Sequence, residues 1–559
     1  MFNFAILIGI YSYIILTIGL LKYLYRENII FLIIIFFLIT VYWYRNLLIM
    51  NLLRCFETSK KVLKFFSLDK LSQLMIILLF LQGVINLTGA LGPELGFDAL
   101  WYHLTLAKLY LINHSIDYIP GGLLYYSTMP KLTEMLYVTG LAFGNEIFAK
   151  LIHFSFGILS LIALFKVSRK FFSSKFALLT CVIFYSNLVA GWMSITAYVD
   201  LERTFFEIMA LWGFLNWLEK REKKWLIESA VMLGLAISTK LLAVGSLLIF
   251  LVLIVLFYYR HSGKRSAPRI SQGNRRFWTR RVPDGNPSSQ NNGNNSVLRN
   301  LFSYWFIALL IPSPWFVFSF IHTGNPVYPF FENIYPLDFN FNLINPLNLS
   351  DPISPLYVVL VPIGLLFFKK LELRLKIIPF YSILALLIWQ LTPNTGGGRF
   401  ILPYLPSFSI LSVLAIQMIW KSKIRYAVVG LVIFFSLFSI IYRFGANLKY
   451  IPVIIGQQSK SDFLAKHLNF SFGDFYDTDM YFEKNIKTSD IVLLYGFHNL
   501  YYVDFPFIDS SWAKKGDRFN YIAIQDSIIP ERFKYWNLIY YNSKTDVKVY
   551  SLGGIKWTY

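Results

Sequence analysis

Residues 4 to 21 read FAILIGIYSYIILTIGLL, from Phe4 to Leu21, without one charged side chain. A helix that crosses a bilayer needs about 20 apolar residues, and this run supplies them. It lacks a basic leader and a small-residue cleavage pattern, so it reads as a retained span and not as a signal peptide. Counting the first from Asn3, comparable runs begin near Ile29, Leu71, Ile147, Phe176, Thr204, Trp225, Leu241, Leu301, Pro355, Ile377, Ile401 and Tyr426. The sequence therefore predicts an all-α polytopic membrane protein with about 13 transmembrane helices. The run from Trp225 to Thr239 is short for a full crossing and also fits half of a hairpin.

Composition agrees. A chain that is 56% hydrophobic and only 15% charged is outside the soluble globular range. The net charge of +21 would suit a nucleic-acid binder. Its Lys and Arg residues, however, fall in short clusters between apolar runs, as membrane topology requires, and no aromatic-basic platform accompanies them. Nucleic acid is thus not an expected partner; the bilayer is. Two cysteines, Cys55 in a basic segment and Cys181 inside a span, make no disulfide framework.

The basic connections are Arg45 to Lys70, Lys166 to Lys175, Glu219 to Lys224, Arg260 to Arg299, Lys369 to Lys376 and Lys421 to Arg425. The positive-inside rule places these in the cytosol. The intervening connections, Gly92 to Lys131, Ala197 to Arg203, His322 to Ser354 and Thr392 to Arg399, then face outward. An odd number of crossings leaves the N-terminus cytoplasmic and the C-terminus extracytoplasmic. Residues 1–70 form two N-terminal spans and a basic connection, and 71–442 form the main transmembrane domain. Within the latter, 260–300 is polar and basic, a disordered cytosolic linker. Residues 443–559 are mixed in charge. Strands are expected at Ile491 to Tyr495, Tyr521 to Ile524, Leu538 to Tyr541 and Val547 to Leu552, and helices at Ser461 to Leu468 and Phe475 to Ile486, giving a small extracytoplasmic α/β domain.

Ionisable residues beside spans that topology does not explain are default functional candidates. Four groups qualify, all at outward connections. In Phe97-Asp98-Ala99-Leu100-Trp101-Tyr102-His103-Leu104, Asp98 and Tyr102 share a helix face and Trp101 supplies an aromatic wall for a sugar ring. Asp98 fits a general base for an acceptor hydroxyl, and it equally fits a helix N-cap. In Ala197-Tyr198-Val199-Asp200-Leu201-Glu202-Arg203 the acids Asp200 and Glu202 suit metal or acceptor binding, or are simple first-turn acids favoured by the helix dipole. Lys240, in Ser238-Thr239-Lys240, runs against the outward charge bias and suits a phosphate, with snorkelling as the alternative. Gly396-Gly397-Gly398-Arg399 joins a permissive backbone to a guanidinium fork. His103, His114 and His153 show no metal-ligand spacing, and no nucleotide-binding loop or dinucleotide fingerprint is present.

Taken in order, these motifs, with Thr323-Gly324-Asn325-Pro326-Val327-Tyr328-Pro329 and Arg399-Phe400-Ile401-Leu402-Pro403, resemble the bacterial C-type integral-membrane glycosyltransferases, relatives of protein O-mannosyltransferases and the lipid A aminoarabinose transferase. The resemblance implies a polyprenyl-phosphate-linked sugar donor used on the outer face. Asp98 would be its catalytic base, and Lys240 and Arg399 would hold the donor phosphate. Trp101, Tyr102, His103, Asp200 and Glu202 would complete the substrate site. The acceptor would be a glycan, lipid or protein hydroxyl. No cofactor is implied, and a divalent metal stays open. Two other readings share the topology: a transporter or flippase of a lipid-linked or small polar substrate, and an enzyme that joins whole glycans. Transporters favour polar residues at the bilayer midplane in repeated halves, which this sequence lacks.

Overall fold

Apolar runs leave backbone N–H and C=O groups no water to bond, so they fold as helices, which satisfy those groups internally. The computed structural model describes residues 1–55, 65–262, 290–332, 353–372, 375–392, 394–419, 421–553 and 555–559. Most of the expected linker 260–300 and of the connection from His322 to Ser354 lies outside them.

In chain order the helices used below are α1 (Phe2–Leu20), α2 (Arg26–Cys55), α3 (Lys70–Ala90), α4 (Leu104–Ile112), α5 (Leu132–Phe143), α6 (Glu146–Ser168) and α7 (Ser174–Tyr185). They continue as α8 (Leu188–Met193), α9 (Asp200–Lys220), α10 (Lys223–Thr239), α11 (Val244–Ser262), α12 (Gln290–Leu310) and α13 (Ser313–Thr323). The set closes with α14 (Pro355–Leu366), α15 (Ile377–Gln390), α16 (Leu405–Met418) and α17 (Ser422–Asn447).

Sequence signals explain several of the ends. Asp69 caps α3 by accepting the Ser72 N–H at 3.3 Å. Asn145 caps α6 through the Ile147 N–H, and Arg221, left-handed at φ 60°, stops α9. Helix α9 is buried on almost every side from Asp200 to Leu218 and forms the bundle centre. It packs closely on α10 because Gly213 has no side chain: a Cβ there would meet the Ser229 backbone N at 3.0 Å. The periphery is apolar, with Phe37 and Leu38 on α2 and Phe434, Phe438 and Ile441 on α17 exposed, as lipid-facing residues are.

The chain is an integral membrane protein. Among the described residues five helical segments are long and apolar enough to cross a bilayer: Phe2–Leu20, Arg26–Trp43, Lys70–Ala90, Glu146–Ser168 and Ser422–Ile454. A bent pair, Ser296–Leu310 with Ser313–Thr323 at 60°, makes a sixth. Other expected runs form shorter apolar helices, because Ser186, for example, ends one helix and Asn187 caps the next. The expected total of about 13 crossings therefore rests on sequence length criteria alone.

Beyond α17 a five-stranded sheet forms in the order β2-β1-β4-β6-β5, with β1 Val492–Tyr495, β2 Phe507–Asp509, β4 Tyr521–Ile524, β5 Asn537–Asn542 and β6 Val547–Ser551. β1 runs parallel to both β2 and β4, while β6 is antiparallel to β4 and β5. A separate pair joins β3 (Arg518–Phe519) to β7 (Trp557–Thr558). Both faces are covered: Val492 and Leu494 enter one apolar cluster and Leu493 enters another. The expected helix at Ser461 to Leu468 forms as Lys460–His467. The one expected at Phe475 to Ile486 is corrected to Tyr481–Asn485. Aspartates claim the preceding backbone: Asp474 accepts the Asn469 N–H and Asp477 the Glu483 N–H, while Met480 turns left-handed at φ 59°.

The sheet domain docks on the segment between α3 and α5 and on the start of α6. Lys108 Nζ donates to Tyr501 O and Val503 O, both at 2.8 Å, and to Asp504 Oδ1 at 2.6 Å. Tyr502 donates to Glu94 O at 3.0 Å, and Lys460 pairs with Glu146 at 2.7 Å. Replacing Lys108 by Met removes the three Lys108 bonds. Limited proteolysis of that variant in detergent should release the 443–559 region several-fold faster than wild type; equal rates would show that the docking does not depend on Lys108.

Candidate functional site

The site is built on a buried carboxylate. Glu94 is fully buried and accepts three backbone N–H groups, from Leu95 at 2.8 Å, Gly96 at 2.6 Å and Ala197 at 2.6 Å. Lys150 of α6, also buried, donates to the carbonyls of Gly89, Gly92 and Pro93. Two loops far apart in sequence are thereby fixed to each other. Tyr198 adds a second link, since its hydroxyl accepts the Asp98 N–H at 3.2 Å and its carbonyl accepts the Tyr137 hydroxyl. Behind them His153 accepts the Leu201 N–H on Nε2 at 3.0 Å, so Nδ1 carries the hydrogen it gives to Thr196 O at 2.8 Å. His153 is therefore a neutral clamp on the start of α9.

Next along the chain, Ala99–His103 winds as a π-turn whose closing bond runs from the Leu104 N–H to Ala99 O. The extra residue per turn reduces the angle between successive side chains, and such turns cluster at functional positions. Trp101, Tyr102 and His103 consequently all line one cavity, together with Asp98. Asp98 makes no side-chain cap bond, so the N-cap reading does not describe it.

The cavity has a volume of ≈ 340 Å³. Arg399 Nη1 lies 2.6 Å from Asp98 Oδ2, and the Tyr102 hydroxyl donates to the same oxygen at 3.0 Å. Burial, then the Asp98 charge, holds the Tyr102 phenol well above its ordinary pKa, so it stays a donor. Arg399 reaches Asp98 from a kinked turn in which Gly397 adopts φ 56°, a conformation that glycine takes without strain. Its guanidinium also lies over Tyr198, 5.1 Å from the ring centre. Lys240, at the end of α10, pairs with Asp200 Oδ1 at 2.7 Å and lies 4.5 Å from the centre of the Phe400 ring.

Six of the eight residues singled out in the sequence, Asp98, Trp101, Tyr102, His103, Lys240 and Arg399, thus line one cavity. Asp200 does not line it and acts behind Lys240; its Oδ2 has no partner among the described residues. Glu202 is also absent from the lining, fully buried, with neither carboxylate oxygen partnered among them. Both cations expected to hold the donor phosphate, Lys240 and Arg399, are paired with carboxylates. No group of three or more His, Cys, Asp or Glu among the described residues is placed to hold a metal ion.

Sequence reading missed Lys131 and Glu134. Lys131 is 1% exposed and lines the cavity; its ammonium donates to Ser127 O at 2.6 Å and Met129 O at 2.7 Å and lies 4.8 Å from the Trp315 ring centre. Burial lowers its pKa to about 7, against an upward pull from Glu134. Glu134 Oε1 is 2.6 Å from His103 Nδ1. Both sit in Met129-Pro130-Lys131-Leu132-Thr133-Glu134, and a Lys and a Glu three apart at the start of an apolar helix were the available signal. The sheet domain closes over this end, where the His498 and Trp101 ring centres lie 4.2 Å apart and burial lowers the His498 pKa.

Residues 136–270 match the family model for dolichyl-phosphate-mannose-protein mannosyltransferase. No curated protein sequence registers as a match. The structure is similar to ArnT from Cupriavidus metallidurans bound to undecaprenyl phosphate, at 12% identity over 85% of this chain and 97% of that one, with a TM-score of 0.57. For the same protein in the apo state identity and coverage are unchanged and the TM-score is 0.56. The Archaeoglobus fulgidus oligosaccharyltransferase in its apo form gives 13% identity over 82% and 70% of the two chains, with a TM-score of 0.44. The fold is that of the C-type membrane glycosyltransferases, as the sequence motifs suggested.

Glu94 should be the main support of the site. Glu94→Ala strands three backbone N–H groups, two of them buried, at about 1–3 kcal/mol for each buried one. The apparent Tm in detergent should fall by roughly 5 °C or more; an unchanged Tm would show that water or other groups replace the carboxylate.

Proposed function

We propose that the cavity is the active site of a glycosyltransferase that moves a sugar from a polyprenyl-phosphate donor to an acceptor hydroxyl on the extracytoplasmic face of a bacterial inner membrane. The observation that carries this reading is a carboxylate, Asp98, facing the same ≈ 340 Å³ space as Lys131, Lys240 and Arg399. A lipid-linked donor stores its energy in the phosphate ester, so the reaction needs no nucleotide pocket. What it needs is a base near the acceptor and cations near the leaving phosphate.

Asp98 has the geometry of the base. Arg399 and Tyr102 both engage Oδ2, which holds the carboxylate in place and leaves Oδ1 to the acceptor hydroxyl. One direct displacement at the sugar carbon needs only this base and inverts the anomeric configuration. Lys240 and Lys131 supply positive charge for the phosphate, and Arg399 adds its field while paired to Asp98. Trp101, Tyr102 and Tyr126 wall the cavity with aromatic faces suited to a sugar ring. Two comparisons support the donor class: the similar ArnT structure holds undecaprenyl phosphate, and the matching family model names a dolichyl-phosphate sugar. The acceptor is a glycan, lipid or protein hydroxyl. The charged groups gather at one end of the bundle, under the sheet domain, which suits surface chemistry better than carriage through the midplane.

Asp98→Asn should lower transfer by about a hundredfold or more while binding of the lipid-linked donor persists; transfer at the wild-type rate would remove Asp98 from the base role. Lys240→Ala should weaken donor binding more than acceptor binding, and equal donor affinity would return Lys240 to a structural pairing with Asp200. With Lys131 near pKa 7, its charge is complete at lower pH and lost as pH rises through that value. Donor affinity should therefore fall about tenfold between roughly pH 6 and 9. A phosphodiester does not titrate there, so the change is the protein's, and Lys131→Met should abolish it. A variant that keeps the slope would assign it to another group.

A further inference from the structure

The cavity holds a second proton-carrying group that a lone base leaves unused. His103 closes the π-turn, its ring lines the cavity, and its Nδ1 lies 2.6 Å from Glu134 Oε1, with both side chains 5% exposed. An ionised carboxylate only accepts, so Nδ1 carries the hydrogen and the ring is held in one orientation. Nε2 has no hydrogen-bond partner among the described residues. Tyr102 lies against one side of the ring, with 4.1 Å between ring centres, and fixes it further.

We propose that His103, as an imidazolium oriented by Glu134, is the general acid of the transfer, giving its Nε2 proton to the phosphate oxygen that leaves the sugar and keeping the Nδ1 hydrogen. This rests on the donor assigned above. The acceptor oxygen forms its bond to the anomeric carbon as the bond from that carbon to the phosphate oxygen breaks. The electron pair of the broken bond stays on the phosphate oxygen, where the Nε2 proton joins it. The hydroxyl proton passes to Asp98 Oδ1. One proton has then moved, in net terms, from the acceptor to the lipid phosphate; Asp98 returns its proton to water and His103 takes one up.

The placement suits the task. Lys131 and Glu134 stand three residues apart at the start of α5, so the wall that orients His103 also presents an ammonium to the phosphate. In a site of low dielectric a phosphate dianion is expensive, and one proton halves its charge. The groups around the ring come from every neighbouring element. Asp98 and Tyr102 share its turn, and Lys131 and Glu134 lie on α5. His153 of α6 and Tyr198 before α9 stand behind it. Lys240 and Arg399 line the same cavity. Glu202 of α9 lies behind Glu134.

The test follows release of lipid phosphate from a polyprenyl-phosphate sugar by the full-length protein in detergent, across pH and at saturating donor, so that Lys131's effect on binding does not enter. Wild-type kcat should fall on the alkaline side as the acid is lost. His103→Gln should lower kcat about a hundredfold, leave donor KM within about twofold, and remove that alkaline fall. Glu134→Gln, whose amide oxygen still accepts from Nδ1, should lower kcat about tenfold and keep a shifted alkaline fall. A wild-type kcat with no alkaline fall overturns the proposal without any variant. So does a His103→Gln enzyme that keeps the wild-type profile, whether its kcat is intact or lowered. Absence of release by wild-type protein overturns the transferase reading as well, which separates the two failures.

Discussion

Everything at the working end of this molecule depends on one buried carboxylate that has three backbone N–H groups for partners. Glu94 exchanges its hydration for bonds to Leu95, Gly96 and Ala197, a trade that succeeds in an apolar interior only when the lone pairs are well occupied. Because the partners belong to two loops, the side chain is also a fastener. Asp98 and Tyr198 lie immediately beyond these anchors and inherit their positions. Lys150 completes the arrangement from α6 by taking three carbonyls of the 89–93 turn, so donors and acceptors of this irregular backbone are both satisfied.

The same economy governs the cavity. Each cation that faces it has a carboxylate or carbonyl partner: Arg399 with Asp98, Lys240 with Asp200, Lys131 with two carbonyls. Buried charges are tolerated on those terms and are costly when one partner is removed. On the proposed function, an incoming phosphate would meet cations that are held in position and only partly neutralised, the preorganised electrostatics that such a transfer would use. Below this layer Arg203 and Glu207, 2.8 Å apart on α9, extend the network through Tyr404 and Ser246 into the bundle centre.

Much of this was legible in the sequence. The apolar runs announced helices, and the four strands read from Ile491 onward all form, because alternating or continuous apolar runs between turn residues leave few other choices. Asp98 and Tyr102 were placed on one helix face, and the structure bonds them. What stayed hidden was pairing across long separations. Nothing local to Lys131 says that Trp315 will cover it, and nothing near Glu94 says that Ala197 will meet it. β2 was missed because three residues after a proline carry little pattern of their own; its place is set by β1. The crossings were not legible for a related reason, since a break such as the one at Asn187 is a local event whose effect on crossing depends on the whole bundle.

The claim at the centre is that this cavity breaks the bond between a sugar and a lipid phosphate. Incubating purified wild-type protein with a panel of polyprenyl-phosphate sugars and a mixed set of hydroxyl acceptors, and recording both the freed lipid phosphate and the anomeric configuration of the product, addresses it directly. Lipid phosphate should be released in step with a glycosylated acceptor of inverted configuration. A folded protein that binds undecaprenyl phosphate yet frees none from any donor, or a product of retained configuration, would contradict it.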